Sequence, residues 1–140
     1  MSEKTTIDQH RTRINEYIER FGKERNLSLD PLDEAGIAHV QRGSALVSIH
    51  FVPSQGVLLL LSRIMAVPEE DREALYRRLL ELSFVATGDG AFAIDKKTDE
   101  IYLRALRRLE GLDYGEFEDL VHTVATIADD LDDKLRAEFP

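Results

Sequence analysis

The chain has 140 residues, 43% of them hydrophobic, which is enough for one domain with its own core and too apolar for a disordered chain. Acidic residues outnumber basic ones by 27 to 18, a formal charge of -9, so a phosphate backbone is repelled on average and nucleic acid is not an expected partner. There is no cysteine, which removes disulfides, thiol nucleophiles and thiolate metal sites.

Residues 1–6 read as a flexible N-terminal tail and residues 7–140 as one domain. Thr6-Ile7-Asp8-Gln9 fits a capping box, and Ile14, Tyr17, Ile18 and Phe21 follow at helical spacing. These predict a first helix over about residues 7–22, stopping near Gly22 and fraying toward Arg25. After Asp30-Pro31, which disfavours helix, three strand-like runs follow. Ile37 to Gln41 is the first, and Arg42-Gly43-Ser44 turns the chain. Ala45 to Phe51 is the second, with Val47, Ile49 and Phe51 on one face and Leu46, Ser48 and His50 on the other. Pro53-Ser54-Gln55-Gly56 is the next turn. Val57 to Leu61, extending toward Met65, is the third run; it is apolar at every position, so both of its faces are expected to be covered. Short connections between the three imply an antiparallel meander.

Pro68 suits the first turn of a second helix, with Glu69, Glu70 and Asp71 favouring its N-terminal dipole. Leu75, Leu79 and Leu82 form its stripe, and Tyr76 and Leu80 widen it. Gly88-Asp89-Gly90 breaks it, and a hairpin of Ala91 to Asp95 and Ile101 to Leu106 comes next. Asp113-Tyr114-Gly115-Glu116 caps a third helix with apolar positions Phe117, Leu120, Val121, Val124, Ile127, Ala128, Leu131 and Leu135. Its last turns, Asp129 to Glu138, are mostly charged and expected to project into water. The order is α-β-β-β-α-β-β-α, with no repeat or linker. The expected fold class is a single α+β domain with an antiparallel sheet packed with helices.

Nothing in this pattern assembles catalytic chemistry. His10, His39, His50 and His122 fall on four different elements without a zinc-binding spacing. Asp129-Asp130 and Asp132-Asp133 resemble a cation or acid/base pair, but their alternation with Leu131 and Leu135 reads as a solvated helix face. Gly88-Asp89-Gly90 precedes a strand and lacks the helix N-terminus of a phosphate cradle. Arg104, Arg107 and Arg108 form a small basic group. The expectations are therefore no enzyme, no cofactor and no metal. The longest apolar run, Val57 to Leu61, is strand-sized, and Met1-Ser2-Glu3-Lys4 has no apolar signal core. A cytoplasmic protein with no membrane partner is expected.

Several segments, in order along the chain, resemble one family. Leu32-Asp33-Glu34-Ala35-Gly36 is similar to an entry into strand one, and Leu79-Leu80-Glu81-Leu82-Ser83 to the end of the second helix, where Asn is common at the position of Ser83. Gly90-Ala91-Phe92-Ala93-Ile94-Asp95 is similar to a fourth strand with an acidic turn, and Leu109 and Leu112-Asp113, followed by Phe117 and Leu120, to the entry of the last helix. The family is that of the type III secretion chaperones (Tir chaperone or CesT-like), together with the YbjN-like proteins of the same fold. The resemblance implies a small, acidic, bacterial homodimer that holds an extended segment of a partner protein. It places the dimer interface at Leu75, Tyr76, Leu79, Leu80, Phe84 and Phe92. It places partner binding at Ile14, Tyr17, Ile18, Phe21, Leu46, Ile49 and Leu103. The ending Ile127-Ala128-Asp129-Asp130-Leu131 is closer to the YbjN-like proteins, which implies the alternative of an adaptor or regulatory module with no role in secretion.

Overall fold

Alternation along the second strand decides which side of the sheet is filled. The computed structural model describes residues 3–140, with elements α1 (Glu3–Glu24), β1 (Ile37–Arg42), β2 (Ala45–Val52), β3 (Val57–Ala66), α2 (Arg72–Val85), β4 (Ala91–Asp95), β5 (Glu100–Arg108) and α3 (Tyr114–Glu138). The five strands form one antiparallel sheet in the order β1-β2-β3-β5-β4. The β4–β5 hairpin returns beside β3 after α2, which leaves β1 and β4 as the two edges. This is the predicted order of elements and the predicted fold class.

Val47 and Ile49 of β2, Leu58 and Leu60 of β3, and Leu103 and Ala105 of β5 share one face and are buried. They meet Ile14, Ile18 and Phe21 of α1, Leu75 and Leu79 of α2, and a continuous stripe of α3 from Phe117 to Leu135 in a single core. All three helices therefore fill the same side of the sheet. Each buried large aliphatic or aromatic side chain contributes about 1.5–3 kcal/mol by leaving water. The opposite face carries Leu46, Leu59, Leu61 and Leu106, with Leu46 at 47% and Leu106 at 39% exposure and the other two partly exposed. The expectation that both faces of β3 would be covered is corrected: a five-stranded sheet with three helices on one side has none left for the other.

Four local differences from the sequence reading have identifiable causes. Helix α1 begins at Glu3, so residues 3–6, expected in a loose tail, are helical; Glu3 sits where the helix dipole favours an acid. Met1 and Ser2, the rest of that tail, lie outside the described residues. At its other end Gly22 lies inside the helix: a Cβ there would come within 2.7 Å of the Leu27 carbonyl oxygen, and it is Asn26, at φ 55, that ends the helix. Helix α2 starts at Arg72 because Asp71 adopts φ 57, which excludes Pro68 and its acidic neighbours from the first turn. The end of α3 is not all solvated, because Asp132 is 5% exposed and Leu135 is buried. The start of α3 is as predicted: Asp113 accepts the Glu116 N–H at 2.8 Å.

Candidate functional site

Of the six residues expected at a dimer interface, α2 and β4 divide the set by helical geometry. Leu75 and Leu79 point into the core, at 0% and 5% exposure, and hold the helix down. Leu80 and Phe84, on the far side of the same helix, are 74% and 87% exposed. Tyr76 and Phe92 lie between, half-buried against the core edge. Tyr76, Leu79, Leu80 and Ser83 of α2 and Phe92 and Ile94 of β4 line a shallow cavity of about 280 Å³. The exposed part continues through Val85 and Ile94, at 72% and 44%. Side chains of this size left in water on neighbouring elements form a contiguous apolar patch, the ordinary sign of an interface.

The seven residues expected to bind a partner are not brought together. Ile14, Ile18, Phe21, Ile49 and Leu103 are at most 2% exposed and are corrected to core residues, because they lie on the side of the sheet and of α1 that the helix packing closes. Tyr17 packs on Phe117 and Tyr114, and its hydroxyl donates to the Leu112 carbonyl at 2.9 Å, which fastens α1 to the start of α3. Leu46 alone of the seven stands free, on the uncovered face of the sheet.

The two sheet edges differ. On β1 the bond from Phe51 N–H to the Gly36 carbonyl sets the alternation of the ladder, so Ile37, His39 and Gln41 turn their amides outward. Asp33 closes the first of these: its carboxylate accepts the Ile37 N–H at 2.9 Å and its own N–H donates to the Ile37 carbonyl at 2.9 Å. His39 and Gln41 remain, both exposed. On β4 the outward N–H of Phe92 is taken by the Ser83 hydroxyl at 3.2 Å, and Thr87 and Gly90 bond to each other in both directions. On β4 the end of α2 closes Phe92 and the same alternation turns Ile94 outward, so β4 is open over one residue and β1 over two.

The carboxylates of α3 do structural work that the sequence reading missed. Asp129 accepts the Ser44 N–H at 2.8 Å and the Ser44 hydroxyl at 2.7 Å, while Asp132 approaches the same hydroxyl at 2.9 Å. The single hydroxyl proton serves both. These bonds from Ser44 hold the Asp129 carboxyl below the usual carboxylate range, the side-chain bond contributing most. A Cβ on Gly43, at φ 59, would lie 2.6 Å from Asp129 Oδ1, so only glycine lets the hairpin tip approach the helix. Arg42 donates to Nδ1 of His122 at 3.0 Å beside it. The tip of the β1–β2 hairpin is thus fastened to α3. The sequence signal was there, since Gly43-Ser44 is a two-residue turn, but its partner lies 85 residues away.

Among the described residues no group of three or more His, Asp or Glu side chains converges as metal ligands, and no helix is long and apolar enough to cross a membrane. His50 faces the uncovered side of the sheet; its Nε2 is shut from solvent and has no hydrogen-bond partner.

Comparison with known proteins matches this arrangement. A family model of the Tir chaperone protein (CesT) family aligns with residues 16–131. No curated protein matches the chain in sequence. Among solved structures, a chain of the ExsC–ExsE complex superposes with a TM-score of 0.72 at 21% identity, covering 89% of this chain and 94% of that one. A chain of the ExoU–SpcU complex from the type III secretion system of Pseudomonas aeruginosa gives 0.63 at 14% identity, covering 90% and 97%. YbjN of E. coli gives 0.56 at 10% identity, covering 85% and 91%. At these identities the structural matches speak for the fold, and the family model speaks for descent: the chain belongs to the Tir chaperone protein (CesT) family.

Proposed function

We propose that the chain is a non-catalytic binding protein that captures an extended segment of a partner polypeptide, and that it does so as two copies joined through the α2–β4 patch. The observation that carries this reading is the asymmetry of the edges. The open amides of His39 and Gln41 on β1 offer main-chain hydrogen bonds to an added strand, while on β4 Ser83 takes the Phe92 N–H and only Ile94 is left outward. The exposed apolar surface at Leu80 and Phe84 beside β4 then serves side-chain packing between copies. Family membership supports the same reading, since the similar structures include the HopA1–SchA chaperone–effector complex.

The test is to recover the complex from the native cell, digest it lightly and identify what survives. A short protected stretch of one partner, with slowed amide exchange at His39 and Gln41, is the expected result. A partner bound only as an intact folded domain, or exchange slowed only at β4, overturns the reading. A protected partner unrelated to secretion assigns the adaptor role in place of the secretion role.

A further inference from the structure

The open stretch of β1 is bounded at one end by the chain itself. Hydrogen bonding alternates along the strand, so Ile37, His39 and Gln41 all turn their main-chain N–H and C=O groups away from β2. Both outward groups of Ile37 are occupied by one residue. The Asp33 carboxylate accepts the Ile37 N–H and the Asp33 N–H donates to the Ile37 carbonyl, each at 2.9 Å. A residue of a neighbouring strand makes the same pair of bonds with its main chain alone. Asp33 stands in for such a strand over a single residue, its side chain supplying the acceptor. Beyond it, the outward groups of His39 and Gln41 have no partner among the described residues.

The stand-in is pinned from behind. Arg11 of α1 donates to the Leu32 carbonyl at 3.2 Å and to the Asp33 carbonyl. The Leu32 N–H donates to Asn15 Oδ1 of α1 at 2.9 Å, and the Leu32 side chain is buried. The Asp33 carboxylate also accepts the Ala35 N–H at 2.9 Å, and its carbonyl accepts the Gly36 N–H at 2.9 Å. A strand that displaced Asp33 would have to break these contacts with α1 and within the turn, besides the two bonds to Ile37. At the other end β1 stops at Arg42, where Gly43 turns the chain at φ 59 and its carbonyl accepts from the Gln41 side chain at 3.2 Å. From His39 to Gln41 the free edge is about 7 Å long at the usual rise per residue.

We propose that Asp33 is the stop that sets the length and register of the added strand: a guest bonds to His39 and Gln41 and leaves the edge where Asp33 already occupies Ile37. The proposal rests on the capture reading above and adds to it the residue that positions the guest. The strand so admitted is a short extended stretch that engages only the N–H and C=O groups of His39 and Gln41. A long strand, or the edge of a folded sheet, is turned away because its next residue needs the place that Asp33 holds.

The test compares complexes recovered from the native cell with the wild-type chain, with Asp33→Ala, and with Asp33→Ala combined with Arg11→Ala, by residue-resolved amide exchange and light digestion. Guest binding to the wild type should slow exchange at His39 and Gln41 and leave Asp33 and Ile37 unchanged. In the variants the Ile37 N–H is free, and guest binding should slow its exchange about tenfold, the effect of one added hydrogen bond. The protected guest stretch should lengthen by about two residues, one repeat of the ladder. Asp33→Asn, which keeps an acceptor for the Ile37 N–H, should restore the wild-type length. The single variant carries the same expectation if melts show that the double variant unfolds. Faster Asp33 exchange on guest binding to the wild type shows that the guest displaces it, and overturns the proposal. So does a variant in which Ile37 stays unprotected and the guest stretch keeps its length. A guest bound without slowed exchange at His39 and Gln41 overturns the capture reading as well, and is thereby told apart from a failure of the stop alone.

Discussion

Ser83 does two things with one hydroxyl: it donates to the Leu79 carbonyl at 2.8 Å within α2 and accepts the outward N–H of Phe92. Asp132 is the corresponding case on α3, where a carboxylate 5% exposed is tolerated because Ser44 and the Asp133 N–H bond to it and Arg136 lies 3.7 Å away. Asp132→Ala leaves the Ser44 hydroxyl its bond to Asp129 but removes a buried hub, and should lower stability by about 1–3 kcal/mol in a denaturant titration. An unchanged midpoint would mean that the hairpin tip does not depend on it. His50 sets a pH dependence of known sign. Burial, aided by nearby His39 and opposed by Asp33, lowers its pKa below the ordinary 6.5. The folded chain therefore binds fewer protons than the unfolded one below that value. This contribution to stability is full above 6.5 and is lost as pH falls toward the lower folded value. Thermal melts on the acid side of 6.5 should show a loss of stability that His50→Leu diminishes. At this scale the sequence was least legible. Leu79 and Leu80 are adjacent leucines in one predicted stripe, and only the packed helix sends one inward at 5% exposure and the other outward at 74%.

Elements were more legible than residues, because capping, turn chemistry and periodicity act over a few neighbouring positions. Gly88-Asp89-Gly90 and Pro53-Ser54-Gln55-Gly56 interrupt the chain where the strands and helices end, and Asp113 caps α3 through Glu116 as its spacing implied. The start of α2 was misplaced because its cause is the left-handed Asp71, a backbone choice that a run of acids before a helix does not reveal. The interface proposed on α2 gives a sharp test. Phe84 is 87% exposed and holds nothing in its own chain, so Phe84→Glu should leave the unfolding midpoint within a few tenths of a kcal/mol while weakening self-association by about 2–4 kcal/mol, read by light scattering across a dilution series. A variant that stays dimeric removes α2 from the interface. Leu79→Glu would not discriminate, since it places a charge in the core and unfolds the chain either way. On β1, proline at position 39 removes an N–H that no neighbouring strand uses. His39→Pro should therefore fold and yet lose the guest in a binding titration, whereas Val40→Pro cuts the ladder to β2 and should not fold.

At the level of the whole molecule, the order of elements and the α+β fold class were readable because composition, turn spacing and resemblance all pointed the same way. What was not readable is the imbalance of the layers. Periodicity reports that both faces of β3 are apolar, but it cannot count helices available to cover them, and three helices on one side leave the other bare. The short open stretch of β1 has a mechanical consequence. A guest strand added beside His39 and Gln41, as proposed above, would be held by a row of bonds so brief that the direction of removal decides how it leaves. Pulled across the row, the guest unzips one bond at a time; pulled along its own length, it loads every bond at once in shear. Because Ser44, Asp129 and Asp132 anchor the hairpin tip, β1 stays behind in either case. On the proposed capture reading, a guest gripped at one end would be stripped off without first unfolding the protein that carried it.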